Sequence, residues 1–374
     1  IGQRSGIACL VKNGIVVVAG IGSIGHPYQQ YRKGEFARRA LYAFRAMDGK
    51  LLWGGRRNYR KRPIIVGDKV FAEPHAWNLL TGKTVKSQNP LTGETTPLNY
   101  LRGYSGCDHL LASASSLFGN ANSGGFAHYN LDEQAGYVPL GGMALACNTG
   151  AVPANGVFVA PEGRSGCTCS FDIQTSVVLY PWPKSQTWGF GARGVQSQKM
   201  LPVKQVAVNL GAPGFRTDGA GQLWIPYAGQ TNMAGAFSKW VPKYKHTPAM
   251  FSYLRPETDR ITGTDRSWIF SSAYHGEKEL EFEMLETGSA KYTVRLYFVE
   301  LDDIQSGDRV FDVSLQGKPA LDEFDVIAES GGRRRSLIKT FPSVTVDRRI
   351  RIGLKSHGKL PPTLSGFKAK RQPQ

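Results

Sequence analysis

A strand-turn-strand unit recurs in the first half of the chain and limits the folds that it can adopt. ALYAFRAMDGKLLWG occupies residues 40–54, and KVFAEPHAWNLLTGKTV occupies residues 69–85. Each stretch has an apolar run, a turn with Asp-Gly-Lys or Thr-Gly-Lys, and a second short run. GFAHYNLDEQAGYVPLGG, at residues 125–142, is a looser third copy. Because such tight turns place glycine at positive φ, the pattern predicts repeated units of antiparallel sheet.

Length and composition agree with a chain made of short strands. The 374 residues correspond to two or three domains of ordinary size. Gly occurs 44 times and Pro 21 times, which favours frequent turns over long helices. From about residue 203, apolar and polar residues alternate, as in KYTVRLYFVEL and RVFDVSLQG. This alternation predicts an antiparallel β-sandwich, and the whole chain is predicted to be all-β.

The repeated unit resembles the quinoprotein-type (PQQ-like) β-propeller repeat of large secreted bacterial proteins, over about residues 5–185. Blades of that family carry a consensus like Ala-x-Asp-x-x-Thr-Gly-Lys-x-x-Trp. The matching repeat positions are Asp48, Gly49, Trp53 and Gly82. The resemblance implies a partial propeller of about four blades, with Trp53 packed between neighbouring blades. It also implies that another chain or an upstream fragment completes the propeller, since an open ring exposes strand edges.

The second half resembles malectin and malectin-like carbohydrate-binding domains. VAVNLGAPGFRTDGAGQLWIPY looks like their opening, and the order from YTVRLYFVE to PPTLSGFKA follows them to the end. The resulting division is 1–190 for the propeller blades, 191–203 for a linker, 204–370 for the malectin-like domain and 371–374 for a tail. The resemblance implies a jelly-roll-like β-sandwich that binds glucose-type sugars in a cleft at one end, through aromatic rings and an acid.

The malectin-like resemblance transfers only in part to the binding residues. Tyr274 matches an aromatic loop residue, and Glu300 matches the acid of a Phe-Ala-Glu stretch. Where malectin has a Tyr-Phe pair, this chain has Leu301 followed by two acids, and a lysine replaces a later acid. Four aromatic residues of an insertion are candidate replacements for the stacking rings, namely Trp240, Tyr244, Phe251 and Tyr253. Buried aromatic residues that fill the core are the alternative. The candidate carbohydrate-binding residues are Trp240, Tyr244, Tyr274, Glu300, Asp302, Asp303 and Lys359.

Positive charge is concentrated near the start of the chain. The net charge is +17, and residues 1–90 hold 16 Lys/Arg against 4 Asp/Glu. Such a field attracts nucleic acid, anionic lipid, or acidic or sulfated polysaccharide, while a solvated surface is the alternative. Nucleic-acid binding is the least favoured, because it rests on charge without a known binding module. The candidate polyanion-binding residues are Arg56, Arg57, Arg60, Lys61 and Arg62.

All five cysteines lie in the first half of the chain. Cys167 and Cys169 are one residue apart, which is too close for the usual Cys-x₂₋₄-Cys zinc pair. A bridge between these two would strain disulfide geometry. In the secreted setting that the propeller resemblance implies, they are expected to form two disulfides with Cys107 and Cys147, in an order that stays open. Cys9 is then the odd thiol.

Motifs for catalysis are not recognisable in the sequence. It has no His-Glu-x-x-His, no Gly-x-Ser-x-Gly and no Cys-x-x-Cys. GIVVVAGIGSIG has the glycine spacing of a dinucleotide loop, but His26-Pro27 follows where a helix should begin. The alternative to a binding protein is a propeller enzyme, either a quinoprotein dehydrogenase with PQQ and calcium or a polysaccharide lyase, which the second domain targets to glycans.

We therefore expect a secreted, non-catalytic carbohydrate-binding or scaffold protein that engages an anionic polysaccharide. The longest apolar runs are strand-length, so no membrane span is expected. The chain begins at Ile1 rather than Met, which suggests that an upstream segment was removed. The expected location is outside the cell or in the envelope of a bacterium.

Overall fold

The computed structural model describes most of the chain and divides it into two compact units. The N-terminal unit comprises residues 1–88, 95–183 and 189–194, and the C-terminal unit comprises residues 89–94, 184–188 and 195–374. The described residues are 6–21, 28–102, 109–121, 125–140, 150–161, 176–182, 187–191, 201–227, 251–255, 260–277 and 279–373.

The N-terminal unit contains antiparallel sheets of three or four strands, formed one after another along the chain. In each of these sheets the strands pair with their sequence neighbours. A two-stranded ribbon lies between the second and third sheets in sequence, and one short helix, α1 (Tyr28–Arg32), precedes β3. The first sheet is β1 (Gly6–Lys12), β2 (Ile15–Ile21), β3 (Arg39–Arg45) and β4 (Leu51–Arg57). The second is β5 (Ile64–Val66), β6 (Lys69–Ala72) and β7 (His75–Asn78), and the ribbon is β8 (Lys86–Gln88) and β9 (Thr95–Pro97). The third is β10 (Leu111–Ala112), β11 (Ser116–Ala121), β12 (Gly125–Asn130) and β13 (Tyr137–Pro139), and the fourth is β14 (Val152–Ala154), β15 (Val157–Ala160) and β16 (Val177–Leu179).

Buried apolar clusters join successive sheets of this unit. One cluster combines side chains of the first and second sheets, including Val17 and Trp77. A second combines the second and third sheets, and a third combines the third and fourth sheets around Phe158. Each sheet is too small to bury its apolar face alone, so stacking on the next sheet forms the core. That these sheets are quinoprotein-type blades, and that a further chain completes a ring, stays a prediction.

The repeated turns of the sequence share one backbone geometry. Gly49 and Gly82 have φ of +69° and +65°, and their amides donate to the carbonyls of Arg45 and Asn78, four residues earlier. In the first copy, the Asp48 carboxylate accepts a hydrogen bond from the amide of Lys50 at 3.1 Å. In the second copy, Asn78 Oδ1 accepts from the amide nitrogens of residues 80 and 81. Short polar side chains of this kind stabilise the turn, and glycine tolerates its left-handed position.

Trp53 connects the first two sheets. Its indole Nε1 donates to the carbonyl of Leu79 at 2.8 Å, and the side chain is only 9% exposed. A Cβ at Gly82 would lie 2.6 Å from the Trp53 ring, so glycine is needed there for contact as well as for φ. Trp53 therefore has a packing role, and its ring covers the turn of the next repeat.

Two of the candidate polyanion-binding residues are buried, so this part of the sequence prediction is wrong. Arg60 is 1% exposed and Lys61 is 6% exposed. The guanidinium groups of Arg60 and Arg102 both bind the Glu73 carboxylate, which also accepts from the Arg102 amide at 2.8 Å. Burial opposes ionisation, but the two arginines outweigh it and lower the pKa of Glu73 to about 2. Burying the Arg60 charge without a partner would destabilise the folded state, and the ion pair with Glu73 removes that penalty.

The other three residues of the basic segment remain near the surface. Arg56 and Arg62 are exposed, and Arg57 is half-buried. The Arg57 guanidinium donates to the carbonyl of Arg56 at 2.9 Å. Their binding to a polyanion stays a prediction.

The C-terminal unit is built almost entirely from strands. A six-stranded sheet has the order β18-β19-β17-β29-β23-β26, a four-stranded sheet has the order β22-β27-β24-β25, and a three-stranded sheet has the order β20-β21-β28. The pair β17 and β19 is parallel, and the other pairs are antiparallel. One short helix, α2 (Val326–Ser330), follows β25. The strands are β17 (Gln205–Leu210), β18 (Arg216–Thr217), β19 (Leu223–Tyr227), β20 (Phe251–Tyr253), β21 (Ser272–His275), β22 (Leu280–Glu283), β23 (Ala290–Phe298), β24 (Val310–Leu315), β25 (Lys318–Asp325), β26 (Leu337–Val346), β27 (Arg349–Ser356), β28 (Thr363–Leu364) and β29 (Gly366–Arg371).

The core of this unit lies between the six-stranded and four-stranded sheets. Phe367 of β29 packs against Phe282 of β22, with ring centroids 4.5 Å apart. Phe298 of β23 packs against Phe324 of β25 at 4.9 Å. Alternate residues of β23 are fully buried over most of its length, as expected for a strand with one face in a core. The expected all-β chain with a malectin-like β-sandwich is confirmed.

Two segments from earlier in the chain belong to the C-terminal unit, which differs from the predicted division. The backbone amides of Lys204 and Gln205 both donate to the carbonyl of Leu91. The indole of Trp188 meets that of Trp268 edge to face at 6.0 Å. At the other end, the last strand extends to Arg371, the first residue of the predicted tail. These contacts are tertiary, so local composition gives no sign of them.

Several sequence predictions fall outside the described residues. Cys107, Cys147, Cys167 and Cys169 are among them, so the two disulfides stay predictions. Cys9 lies on β1, exposed and without a disulfide partner in the part of the chain that is described. Among the described residues, no helix has the length and apolar character needed to cross a bilayer.

We expect Gly82→Ala to destabilise the N-terminal unit more than Gly67→Ala does. Both glycines have left-handed φ, +65° and +59°, so both substitutions cost about 1 kcal/mol from the backbone. A Cβ at Gly67 meets no atom within 4 Å, whereas at Gly82 it overlaps the Trp53 ring. That overlap adds roughly 1–3 kcal/mol. Urea-dependent hydrogen exchange of β4 and β6 peptides measures both effects, and equal losses in the two variants would contradict the packing role of Trp53.

Candidate functional site

Three connections meet at one end of the C-terminal sandwich, here called the loop end. They are residues 276–277 after β21, residues 299–309 between β23 and β24, and residues 357–362 between β27 and β28. The amide of His357 donates to the carbonyl of Val310 at 2.9 Å, and the amide of Gly276 donates to the carbonyl of Pro362 at 3.1 Å. These backbone bonds fix the three connections to one another.

Arg309 organises the loop end. Its Nη1 donates to the carboxylate of Glu300, and its Nη2 donates to Asp302 Oδ2 at 2.6 Å. The Asp302 amide in turn donates to Glu300 Oε1 at 2.9 Å. Glu300 is 1% exposed and Arg309 is 4% exposed, whereas the Asp302 side chain is 48% exposed. One buried arginine therefore holds one buried acid and one acid that reaches the surface.

The electrostatics of this cluster follow from its burial. Burial raises the pKa of Glu300, while the positive charge of Arg309 acts in the opposite direction. Burial lowers the pKa of Arg309, but its hydrogen bond to Asp302 and the charge of Glu300 outweigh it, so the net shift is upward. Arg309 stays charged, and its fork geometry orients both carboxylates.

His275 lies beside this cluster. Its Nε2 is 2.8 Å from the hydroxyl oxygen of Ser252, and its backbone pairs with Thr363 of β28. Burial lowers its pKa to about 4, and the charge of Arg309 acts in the same direction, while Asp302 opposes it. His275 is therefore neutral at physiological pH.

Several buried polar atoms at or near this end lack a hydrogen-bond partner in the described part of the chain. They are His275 Nδ1, Arg309 Nε, Thr363 Oγ1 and Ser365 Oγ. His275 and Thr363 are direct cross-strand neighbours, and Ser365 follows two residues later. Because buried polar atoms are normally hydrogen-bonded, these strands keep unused hydrogen-bonding capacity. Water molecules or the hydroxyl groups of a ligand can fill it.

Two of the candidate carbohydrate-binding residues are buried rather than exposed, which corrects the sequence prediction. Tyr274 is fully buried, and its ring packs against Phe251 with centroids 5.6 Å apart. It therefore has no exposed face on which a sugar could stack. Glu300 is equally buried and is bound to Arg309, so its role is to hold Arg309 rather than to reach a ligand.

The other candidates occupy different positions. Asp302 and Asp303 both lie in the connection after β23, and the Asp303 carboxylate is exposed and pairs with Arg333. Lys359 is exposed in the connection before β28. The structure thus brings these three charged side chains to the loop end. Trp240 and Tyr244 lie outside the described residues, so their role in stacking stays a prediction.

Sequence reasoning missed Arg309 and His275. Arg309 immediately precedes β24, and its partner Glu300 follows β23. A lone arginine just before one strand, with an acid just after the previous strand, is the sequence signal for such a bridge. His275 adjoins Tyr274 in SSAYHG and lies on the opposite face of β21, so alternation along the strand identifies it.

A separate open cleft of about 290 Å³ lies over β24, β25 and β27. Its polar lining is mainly acidic, with Lys355 as a counter-charge. Among the described residues, no three His, Cys, Asp or Glu side chains are grouped so that they could hold a metal ion. The acids of the cleft are Glu277, Glu279, Asp312 and Asp322.

We expect the stability of the C-terminal unit to fall as the pH drops from 6.5 towards 4. In this range the unfolded chain binds a proton at His275 and the folded chain does not, so protonation favours unfolding. The loss is roughly 1–3 kcal/mol, and His275→Gln removes it. Urea unfolding read from hydrogen exchange of β23 peptides provides the measurement. At about pH 8 the imidazole is neutral in both states and serves as the control; an unchanged pH slope in the variant would contradict the assignment.

Comparison with known proteins finds a sequence match within the C-terminal unit. Residues 205–367 match the family model of the Malectin domain. A probable leucine-rich repeat receptor-like serine/threonine-protein kinase of Arabidopsis thaliana is 29% identical over 97 residues, which are 24% of this chain. The chain spans only 10% of the length of that curated relative.

The similarities to solved structures have low TM-scores. The extracellular domain of ANXUR2 from Arabidopsis thaliana has a TM-score of 0.36 at 13% identity, over 45% of this chain and 49% of that one. A β-glucuronidase of Bacteroides uniformis has a TM-score of 0.37 at 13% identity, over 100% of this chain and 28% of that one. The sequence match is therefore the informative one, and it covers residues 205–367, less than half of the chain.

Proposed function

We propose that this protein binds carbohydrate without altering it, and that the loop end of its Malectin domain contacts the sugar. The observation that supports this is the Arg309 cluster, which presents a half-exposed carboxylate in a fixed orientation within a domain of this family. Because a fold can host many functions, the proposal depends on the chemistry of this end rather than on the sandwich itself.

The exposed groups of the loop end suit sugar hydroxyls. Asp302 Oδ2 accepts from Arg309, which leaves the other oxygen of the carboxylate for a ligand. Asp303 offers further acceptors, and Lys359 offers donors. Carbohydrate sites combine a few directed polar groups of this kind with an apolar surface. The apolar part is proposed to come from Trp240 and Tyr244.

The proposed ligand is a polysaccharide with acidic or sulfated groups. The net charge of +17 raises the local concentration of polyanions around the protein. The proposal includes an extracellular or cell-envelope location, where such polymers occur, and a further chain or upstream fragment that completes the N-terminal unit. The matches come from a plant and from a bacterium, so the bacterial source stays a prediction.

We expect Asp302→Asn to weaken the binding of neutral gluco-oligosaccharides about tenfold, because it replaces a charged acceptor with a neutral amide. The matched control is Asp322→Asn, an exposed acid of β25 away from the loop end. The assay is retention of the full chain on immobilised neutral gluco-oligosaccharides, polygalacturonate and dextran sulfate, at low and high salt. Chromatography of each glycan after incubation checks that it is unaltered.

Two results would contradict this proposal. One is an absence of retention on every glycan at both salt concentrations. The other is equal retention of Asp302→Asn and Asp322→Asn, since that would place the contact elsewhere on the protein.

A further inference from the structure

The outer face of the six-stranded sheet carries a group of cations, here called the sheet-face cluster. The inner face of β23 and β29 is apolar and meets the four-stranded sheet through Phe298 and Phe367. Residues that alternate with these point outwards. On β23 and β29 the outward cations are Lys291, Arg295, Lys368 and Lys370.

The pairing of β23 with β29 places these cations side by side. Arg295 is the direct cross-strand partner of Lys368, and Lys370 lies opposite Thr293, two residues further along. Lys291 is two residues beyond Thr293 on the same face. Neighbouring strands are about 4.8 Å apart and alternate residues about 6.7 Å apart, so the cluster extends roughly 13 Å along the sheet.

No acidic side chain in the described part of the chain forms an ion pair with any member of the sheet-face cluster. The acid whose charge acts on Lys368 is Asp218. Its side chain is 2% exposed and is bound to Arg266 at 3.1 Å. Asp218 also accepts from the Trp224 indole and from the amides of Ala220 and Gln222. It is therefore already fully engaged.

The cluster is unfavourable for the protein by itself. Like charges directly opposite each other on a sheet are destabilising, and Arg295 and Lys368 form such a pair. Burial lowers the pKa of Lys368, Asp218 opposes this, and Arg295, Lys370 and Arg266 lower it further. Lys368 is half-buried, whereas Arg295 and Lys370 are exposed. An anion placed over the pair would relieve the repulsion.

We propose that the sheet-face cluster is a second binding surface of this protein, and that it binds the carboxylate or sulfate groups of an anionic polysaccharide. Cations at several levels along two strands match a ligand with repeated negative groups. The inference takes carbohydrate as the ligand class from the proposed function, and it does not depend on the loop end.

The side chains around the cluster favour a polysaccharide over a nucleic acid. The polar outward neighbours include Thr293, Thr340 and Gln205, which lie opposite Lys370 or Arg295. Hydroxyl and amide groups can bond to sugar hydroxyls. The aromatic ring on the same face of β23, that of Tyr297, is 2% exposed and packs against Trp224, so it offers unpaired bases no free face for stacking.

The test compares two triple variants that change the net charge equally. Arg295→Gln/Lys368→Gln/Lys370→Gln removes three cations of the sheet-face cluster. Its matched control is Lys50→Gln/Lys83→Gln/Lys86→Gln, which removes three exposed cations of the N-terminal unit that are not among the candidate polyanion-binding residues. Dissociation constants of the full chain are measured for polygalacturonate, dextran sulfate, neutral dextran and double-stranded DNA, in low and high salt.

We expect the sheet-face variant to bind both anionic polysaccharides about tenfold more weakly or worse, with a smaller salt dependence, while the control binds like the wild type. Lys368→Arg/Lys370→Arg keeps the charges and is expected to keep the binding. Thermal unfolding of each variant checks the fold, and loss of a repulsive pair is expected to leave the melting temperature unchanged or higher.

Three outcomes would overturn the inference. They are full affinity of the sheet-face variant, an equal loss of affinity in the control, and DNA binding that is as tight as polysaccharide binding and is weakened equally by the sheet-face substitutions. Asp302→Asn separates the two proposals, because it should leave binding at the sheet face intact. If Asp302→Asn changes neither the binding of neutral gluco-oligosaccharides nor that of anionic polysaccharides, the loop-end proposal is refuted and the sheet-face proposal remains.

Discussion

Arg309 is the side chain on which the loop end of the C-terminal unit depends. It bridges Glu300, directly after β23, and the more exposed Asp302, two residues later. Removing one partner of such a buried pair costs about 3–5 kcal/mol, because the remaining charge stays buried. The same contact that stabilises the connection between two central strands therefore also fixes the orientation of a surface carboxylate, so a loss of Arg309 would change both.

Much of the architecture could be predicted from local patterns. Alternation in KYTVRLYFVEL identifies β23, and the Asp-Gly-Lys and Thr-Gly-Lys turns identify the hairpins of the first two sheets. Burial of charged residues could not be predicted in this way. Arg60 lies in a basic run that looks solvated, and only the fold brings Glu73 against it. The acid that neutralises a buried arginine is a tertiary partner, which neither composition nor periodicity specifies.

The sequence indicates which connections lie together at the candidate site, but not which of their side chains are exposed. The order of malectin-like motifs leads to the connections after β23 and before β28, and these do meet. Which side chains face outwards depends on the pleat of each strand. Neighbouring residues of a strand point to opposite faces, so Tyr274 is in the core while His275, the next residue, lies beside Arg309. The malectin-like resemblance indicates which connections lie together, and the strand register decides which of their side chains are exposed.

The positions of β23 and β29 within their sheet have a further consequence. Each of these strands is hydrogen-bonded on both sides, so neither is an edge strand. Backbone in such a location opens rarely, and the separation between Arg295 and Lys368 is set by the ladder rather than by a loop. Binding of a polymer to this face would restrict only side-chain rotamers. No loop would have to close, so binding would cost no loop-closure entropy. The backbone of this face therefore holds the charges at fixed spacings.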